Sequence, residues 1–256
     1  MEGVSTMPSL LGLALPLQQF RPWTPEQLEL AAELMPCAYV VPLWGDQQPP
    51  EVRADQVAAV LALAARTGAR LLLRACERDL SLWAPNDWAG ECARRAGFFT
   101  APVEMIPGNE LNSPLASGSL AWAIGAGPSW LLRFSRRYRR LRRGERLHVP
   151  APAPGAGGRE AIAVWKACAR VGVGKRFDVV DVHAYSDEQV RALPRAAHEA
   201  LGLPVDLTAW NRADPDLVAA EVRANSWLWS ACYAPPVGEA SIEPAVLLAF
   251  DAAAGA

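Results

Sequence analysis

Residues 106–112 read IPGNELN, and the carboxyl of Glu110, directly after the amide of Asn109, is a group able to give or take a proton in a reaction. Residues 181–185 read DVHAY. Side chains alternate along an extended chain, so His183 and Tyr185 share one face, together with Asp181. A histidine titrates near neutral pH and beside Glu110 would add to acid–base chemistry; alone it reads equally as a satisfied core residue. Residues 204–211 read PVDLTAWN, an apolar run ending in a polar tip, with the methyl of Ala209 just before that tip. Arg74, in RLLLRACE, could orient a carboxylate or serve structure alone. His148 and His198 have no metal-ligand spacing to any Cys, Asp or Glu, so neither a catalytic metal nor a cofactor is expected.

These groups matter only if secondary structure brings them together. Short apolar runs alternate with longer segments of helical period: LLGLALPL (10–17), CAYVVPLW (37–44), ARLLLRACE (69–77), PVEMIPGNE (102–110), RLHVPAP (146–152), FDVVDVHAY (177–185) and PVDLTAW (204–210) read as strands. Thr24, Pro25 and Gln27 spell an N-cap, an N1 proline and a capping box; Ser186 with Gln189 repeats the box, and Asp214 with Pro215 the cap and proline. Gly68 and Gly202 stand where C-terminal caps belong. Seven strand–helix units imply a parallel sheet, because each crossover is long enough to return the chain. With an eighth unit the sheet closes into a single-domain (β/α)8 TIM barrel over residues 1–256. SACYAPPVG (230–238) must then supply the eighth strand, across two prolines, and IEPAVLLAF (242–250) the last helix. An open doubly wound sheet is disfavoured, since no GxGxxG turn follows the first strand.

Composition narrows the function classes. Twenty-five basic against 27 acidic side chains give a net charge of −2, so nothing in the whole-chain balance points to nucleic acid. Five scattered cysteines without a CxxC pair read as reduced core residues. No apolar stretch approaches the roughly 20 residues needed to span a bilayer. The N-terminus lacks the features of a secretion signal, so a cytoplasmic protein is expected, or a component of a larger assembly or viral particle. In RFSRRYRRLRR (133–143) the helical spacing puts Trp130, Phe134, Tyr138 and Leu141 on one face and the arginines on a solvated one.

In barrels of this kind the chemistry sits at the C-terminal ends of the strands. The tips of strands four, six and seven carry IPGNELN, DVHAY and PVDLTAWN. Together these resemble the clan A retaining glycoside hydrolases, whose acid/base follows an asparagine on strand four and whose nucleophile ends strand seven. The resemblance implies that Glu110 is the acid/base, that Asn109 binds the sugar 2-hydroxyl, and that His183 and Tyr185 belong to the site. It also places a nucleophilic glutamate where this chain has Ala209. A retaining enzyme holds two carboxyl groups about 5 Å apart, and a methyl group can neither attack nor protonate. Losing the neighbouring charge should also favour ionised Glu110, a poorer acid.

The resemblance therefore implies a barrel that binds an oligo- or polysaccharide and is inactive or weakly active as a retaining hydrolase. Trp44, Trp83, Trp88 and Trp210 fall near the tips or top loops, where indole faces can stack on sugar rings; Trp122, Trp130 and Trp165 have helical spacing and read as core. Alternatives stay open. Another carboxylate, Glu239 above all and otherwise Glu77 or Asp79, could position a water for an inverting mechanism, which needs a separation of roughly 6.5–9.5 Å. Asp206 is set aside because strict alternation turns it toward the helices. Ala209 could be an engineered knockout, or the barrel a purely structural assembly module. The sugar recognised and the oligomeric state are not legible.

Overall fold

In the structure, a computed structural model, residues 11–15, 24–44, 48–77, 79–114 and 118–234 are described. Eight parallel strands close in sequence order into a barrel: β1 (Leu11–Ala14), β2 (Ala38–Leu43), β3 (Arg70–Ala75), β4 (Glu104–Ile106), β5 (Arg146–Val149), β6 (Val179–Ala184), β7 (Val205–Trp210) and β8 (Leu228–Tyr233). The ring is sealed by pairing of Gly12 in β1 with Cys232 in β8. Among the described residues the helices are α1 (Pro25–Glu33), α2 (Pro50–Thr67), α3 (Pro85–Ala96), α4 (Leu120–Ile124), α5 (Gly127–Leu141), α6 (Arg159–Arg170), α7 (Asp187–Leu201) and α8 (Pro215–Ala224). One helix follows each of β1 to β7, except that α4 and α5 share the connection after β4. The expected helix at 242–250 lies outside the described residues. No described helix is long and apolar enough to cross a membrane.

The local signals act as their chemistry requires. Thr24 Oγ1 accepts from the Gln27 amide and the Gln27 side chain accepts from the Thr24 amide, a closed capping box. Ser186 caps α7 in the same way, but its Gln189 reaches one residue further back, to the Tyr185 amide at 2.8 Å. That bond ties the tip of β6 to the start of α7. Gly68 and Gly202 adopt φ of 71° and 67°, the left-handed cap that a side chain would strain.

Two layers of side chains separate inside from outside. Leu71, Leu73, Val180, Val182, Leu207 and Trp210 join the large core between strands and helices, whereas Ala14, Ala38, Val40, Leu72, Ile106 and Cys232 form a small cluster within the barrel. On β7 the outward residues Leu207 and Trp210 are three apart, and the pairing to β8 shifts between them. This bulge inserts one extra residue. It corrects the alternation argument for Asp206, which faces the barrel axis. Its carboxylate meets Arg70 of β3 at 2.7 Å, and β3 and β7 stand on opposite sides of the ring, so the pair must cross the interior. Above the bulge, the outward Trp210 leaves Ala209 facing inward.

Other expectations are corrected too. β8 spans Leu228–Tyr233, so it begins two residues before the expected 230–238, whose residues 235–238 lie outside the described ones. On α5, Trp130, Phe134 and Tyr138 are buried and stack at 5.5 and 5.7 Å, but Leu141 is 40% exposed. It is the last helical residue, and Arg142 leaves helical geometry directly after it. All five cysteines are free thiols; burial pushes Cys37 and Cys168 up to about 12, where little reactive thiolate forms.

Candidate functional site

The residue that anchors the upper end of the barrel is Glu110. It follows the short β4 through Pro107, Gly108 and Asn109, a segment fixed from three sides. Trp88 Nε1 donates to the Pro107 carbonyl at 2.8 Å, the Leu111 amide to Ala151 O at 3.4 Å, and Asn112 exchanges bonds with the Ala153 backbone at 3.0 and 2.6 Å. Held this way, Glu110 takes φ of 44°, a left-handed conformation that costs a non-glycine residue about 1–3 kcal/mol.

Its carboxylate is gathered by β6. The Tyr185 hydroxyl donates to Glu110 Oε1 at 3.1 Å, and His183 Nδ1 lies 3.2 Å from the same oxygen. Tyr185 and His183 are themselves 3.2 Å apart, so the three groups form a closed triangle. Burial opposes ionisation of Glu110, but the bonds from His183 and Tyr185, with the charge of Arg74, outweigh it and hold the carboxyl below the usual glutamate range. His183 is the reverse case: burial favours the neutral ring, Arg74 adds to that, and the bond to Glu110 does not overcome them, so its pKa is lowered. Burial and the Glu110 charge push the Tyr185 phenol up and keep its donor proton in place. At neutral pH the cluster is a carboxylate facing a neutral imidazole and a neutral phenol.

Ala209 is the register partner of His183 on the neighbouring strand, and is 4% exposed. Arg74 crosses the ring from β3 and donates from Nη2 to the Thr208 carbonyl at 3.2 Å. Around this end several buried polar atoms have no hydrogen-bond partner: Arg74 Nε, His183 Nε2 and Thr208 Oγ1. Thr208 is a residue that the sequence did not single out, since its significance comes from the bulge and not from its type. A carboxylate accompanied by neutral donors, with Arg74 Nε and Thr208 Oγ1 as unpartnered donors and His183 Nε2 as an unpartnered acceptor, can orient hydroxyl groups. Among the described residues no second carboxylate stands in this triangle, and Glu110 favours its ionised form.

Structure thus brings Glu110, Tyr185, His183 and Arg74 together beside Ala209, with half-buried Asn109 preceding Glu110. It does not bring the tryptophans with them. Trp210 is fully buried and packs edge-on against Tyr233 at 5.1 Å, so it is a core residue with no face to offer; the bulge turned it outward. Trp88 is equally buried. Trp44 lines a concavity with Gln48, Arg53, Arg95 and Phe98 beside α2 and α3. Trp83, half-buried, leans on Trp88 at 5.0 Å. Asp79 caps a turn, accepting from the Ser81 amide and hydroxyl at 2.9 and 2.6 Å. Glu239 lies outside the described residues.

Deeper in the barrel is a second polar cluster that spacing arguments missed because its members come from different strands. His148 is within 2.8 Å of Asp181 Oδ1 and 2.9 Å of Glu104 Oε2, and Arg70 bridges Glu104 and Asp206. Ser230 donates to Asp206 at 2.7 Å. Ligand atoms of Glu104, His148 and Asp206 lie within 4.8 Å of one another, a grouping with the chemistry of a metal site. Arg70 and His148 already supply the positive charge there, and both carboxylates point their oxygens at them.

No protein-family model matches the chain, and no curated relative matches it. Solved structures do. The chain is similar to a GH128 (subgroup I) endo-beta-1,3-glucanase from Amycolatopsis mediterranei in complex with laminaritriose, with 13% identity, TM-score 0.58 and coverage of 94% of this chain and 98% of the other. It is also similar to the catalytic domain of a mannanase from Streptomyces sp. SirexAA-E, at 16% identity, TM-score 0.61 and coverage of 94% and 78%. A third similar structure is the mannohexaose complex of Thermomonospora fusca beta-mannanase, at 15% identity, TM-score 0.65 and coverage of 94% and 82%. At such identities the likeness establishes the fold, a (β/α)8 barrel.

Proposed function

We propose that this chain is a glycoside-hydrolase-like barrel of the clan A type that binds a saccharide at its upper end and turns it over slowly or not at all. The observation that carries the reading is the Glu110–His183–Tyr185 triangle standing beside a methyl group at position 209. The solved structures of similar fold support the saccharide class, being complexes with laminaritriose and mannohexaose.

A retaining hydrolase needs one carboxylic acid to protonate the leaving oxygen and one carboxylate to attack the anomeric carbon. Here Glu110 is held ionised, which favours accepting hydrogen bonds from sugar hydroxyls over giving a proton away. Ala209 removes the attacking group. Arg74 Nε remains as a donor, and Nε2 of the neutral His183, whose Nδ1 faces Glu110, as an acceptor, both without a protein partner. Asn109 is assigned to the sugar 2-hydroxyl.

Calorimetric titration with laminari- and manno-oligosaccharides tests binding, and an activated aryl glycoside panel with and without azide or formate tests turnover. Expected are binding that weakens at least tenfold in Glu110→Gln, slow or no turnover in the native chain, and faster turnover in Ala209→Glu or with the small nucleophiles. Rapid native turnover, or indifference of saccharide affinity to Glu110→Gln, would overturn the assignment.

A further inference from the structure

The Arg-rich helix separates into two populations once its surroundings are known. Arg139 pairs with Asp178 at 2.7 Å and Arg142 pairs with Glu145, so these two are structural. Arg133, Arg136, Arg137 and Arg140 are exposed and have no ion-pair partner among the described residues. They recur at i, i+3, i+4 and i+7, a single stripe on α5 with steps of about 5–6 Å between neighbouring side chains.

Two concavities flank this stripe. One is bounded by the four arginines with Asn86 and Asp87 at the start of α3, and Asp87 is its one carboxylate. The other is bounded by Arg136 with Arg170, Lys175 and Arg176 beyond the end of α6, plus Leu132 and Val171. Arg136 belongs to both. A chain with net charge −2 therefore gathers seven cations, Arg133, Arg136, Arg137, Arg140, Arg170, Lys175 and Arg176, along one side of its helix layer. The whole-chain balance that argued against a polyanion averages this away.

The chemistry of the lining narrows the partner. Neither concavity is lined by an aromatic side chain, so there is no large apolar anchor of the kind that carries protein–protein affinity or inserts into a bilayer. Guanidinium groups bind phosphate through paired N–H donors. A stripe of them at roughly 6 Å steps, about 10 Å from Arg133 to Arg140 at the helical rise, fits successive phosphates of a polynucleotide. An acidic polysaccharide with one carboxylate per ring has a comparable charge spacing and is the rival occupant; tighter binding of polygalacturonate than of either oligonucleotide would overturn the choice of nucleic acid. We infer that the α5–α6 side of the barrel is a site for the phosphate backbone of nucleic acid, recognised without regard to base sequence and separate from the site at Glu110.

Fluorescence anisotropy of labelled 20-nucleotide single- and double-stranded oligonucleotides with the full chain tests this. Contact with about three phosphates predicts more than tenfold weakening between 50 and 150 mM salt. Arg136→Glu with Arg137→Glu should lose at least tenfold in affinity while circular dichroism is unchanged. The matched reversal Arg191→Glu with Arg195→Glu, on the exposed face of α7, should alter it less than twofold. Absence of binding at 50 mM salt, equal losses in the two double variants, or tighter binding to phosphatidylserine vesicles than to either oligonucleotide overturns the inference.

Discussion

Two histidine–carboxylate clusters occupy the same barrel, drawn from the same staves. Strand β6 gives Asp181 to the lower and His183 to the upper; the β4 segment gives Glu104 and then Glu110; β7 gives Asp206 and then, past its bulge, Ala209. The imidazoles end in opposite states. Burial alone would neutralise His148, but Asp181 and Glu104 on its two nitrogens, with Asp206 close by, outweigh burial and raise it to about 10. His183, with one carboxylate and the Arg74 charge nearby, is lowered. The lower cluster closes its charges on each other: Arg70 serves two carboxylates, Ser230 a third contact, and Arg146 reaches Glu104 at 3.3 Å. The upper leaves Arg74 Nε, His183 Nε2 and Thr208 Oγ1 unanswered. A network whose charges are matched, with Asp181 Oδ2 alone in it left without a partner, holds the barrel together, whereas unpartnered groups from three strands beside a carboxylate suit a ligand.

The largest effect should separate the two histidines. His148→Gln removes a buried cation from between two carboxylates and is expected to cost about 3–5 kcal/mol in urea denaturation. His183→Gln breaks a partly exposed contact to a single carboxylate and should cost under about 2 kcal/mol. Equal losses would erase the distinction. The pH dependence carries the same contrast. A pKa raised from about 6.5 in the unfolded chain to about 10 in the fold contributes stability that is complete below pH 6.5 and lost as pH rises toward 10. Glu104 is the opposite: burial opposes its charge, the bonds from His148 and Arg70 outweigh that, and its lowered pKa makes its contribution vanish as pH falls below the ordinary glutamate value. Melting temperature should therefore decline from pH 6.5 to 10 in the native chain, and His148→Gln should flatten that decline.

A smaller effect concerns Glu110. Its carboxyl titrates below the usual range because two donors and a nearby cation favour the charged form. Tyr185→Phe removes one donor and should raise it. Ala209→Glu adds a like charge and should raise it further, toward the range of a working acid. Carbon-13 NMR titration of labelled glutamate measures all three proteins. Identical values across them would mean that position 209 does not communicate with Glu110.

The strands were legible because their apolar runs are continuous, as befits a sheet covered by helices on one side and filled on the other. Caps were legible because they are local: Thr24, Asp214 and the two glycines act within one turn. The upper triangle could be anticipated from three short motifs, as Glu110, His183 and Tyr185 do meet. What failed was period-two alternation through a bulge. Counting by twos from Ala209 turned Asp206 toward the helices, and one inserted residue reverses that; Trp210 was given to a ligand by its place at the strand tip, and it is buried in the outer core. The lower cluster was hidden for another reason. Arg70 and Asp206 are 136 residues apart and meet only because the sheet closes.

The finest test of the contrast compares two buried hydroxyls. Ser230 Oγ donates to Asp206 at 2.7 Å inside the lower cluster, and Thr208 Oγ1 is buried without a partner at the upper end. Ser230→Ala deletes a bond to a charged acceptor, which retains Arg70, so a loss of about 1 kcal/mol is expected. Thr208→Val swaps an unanswered hydroxyl for a methyl of the same shape and should leave stability unchanged or raise it by up to about 1 kcal/mol. Affinity should follow the reverse order. If a bound saccharide answers the Thr208 hydroxyl, Thr208→Val weakens binding several-fold while Ser230→Ala leaves it alone, so that the change which favours the free protein is the one which harms the complex. A Thr208→Val protein both less stable and unaltered in binding would place that hydroxyl in the structural network, and the line drawn between the two clusters would have to move above it.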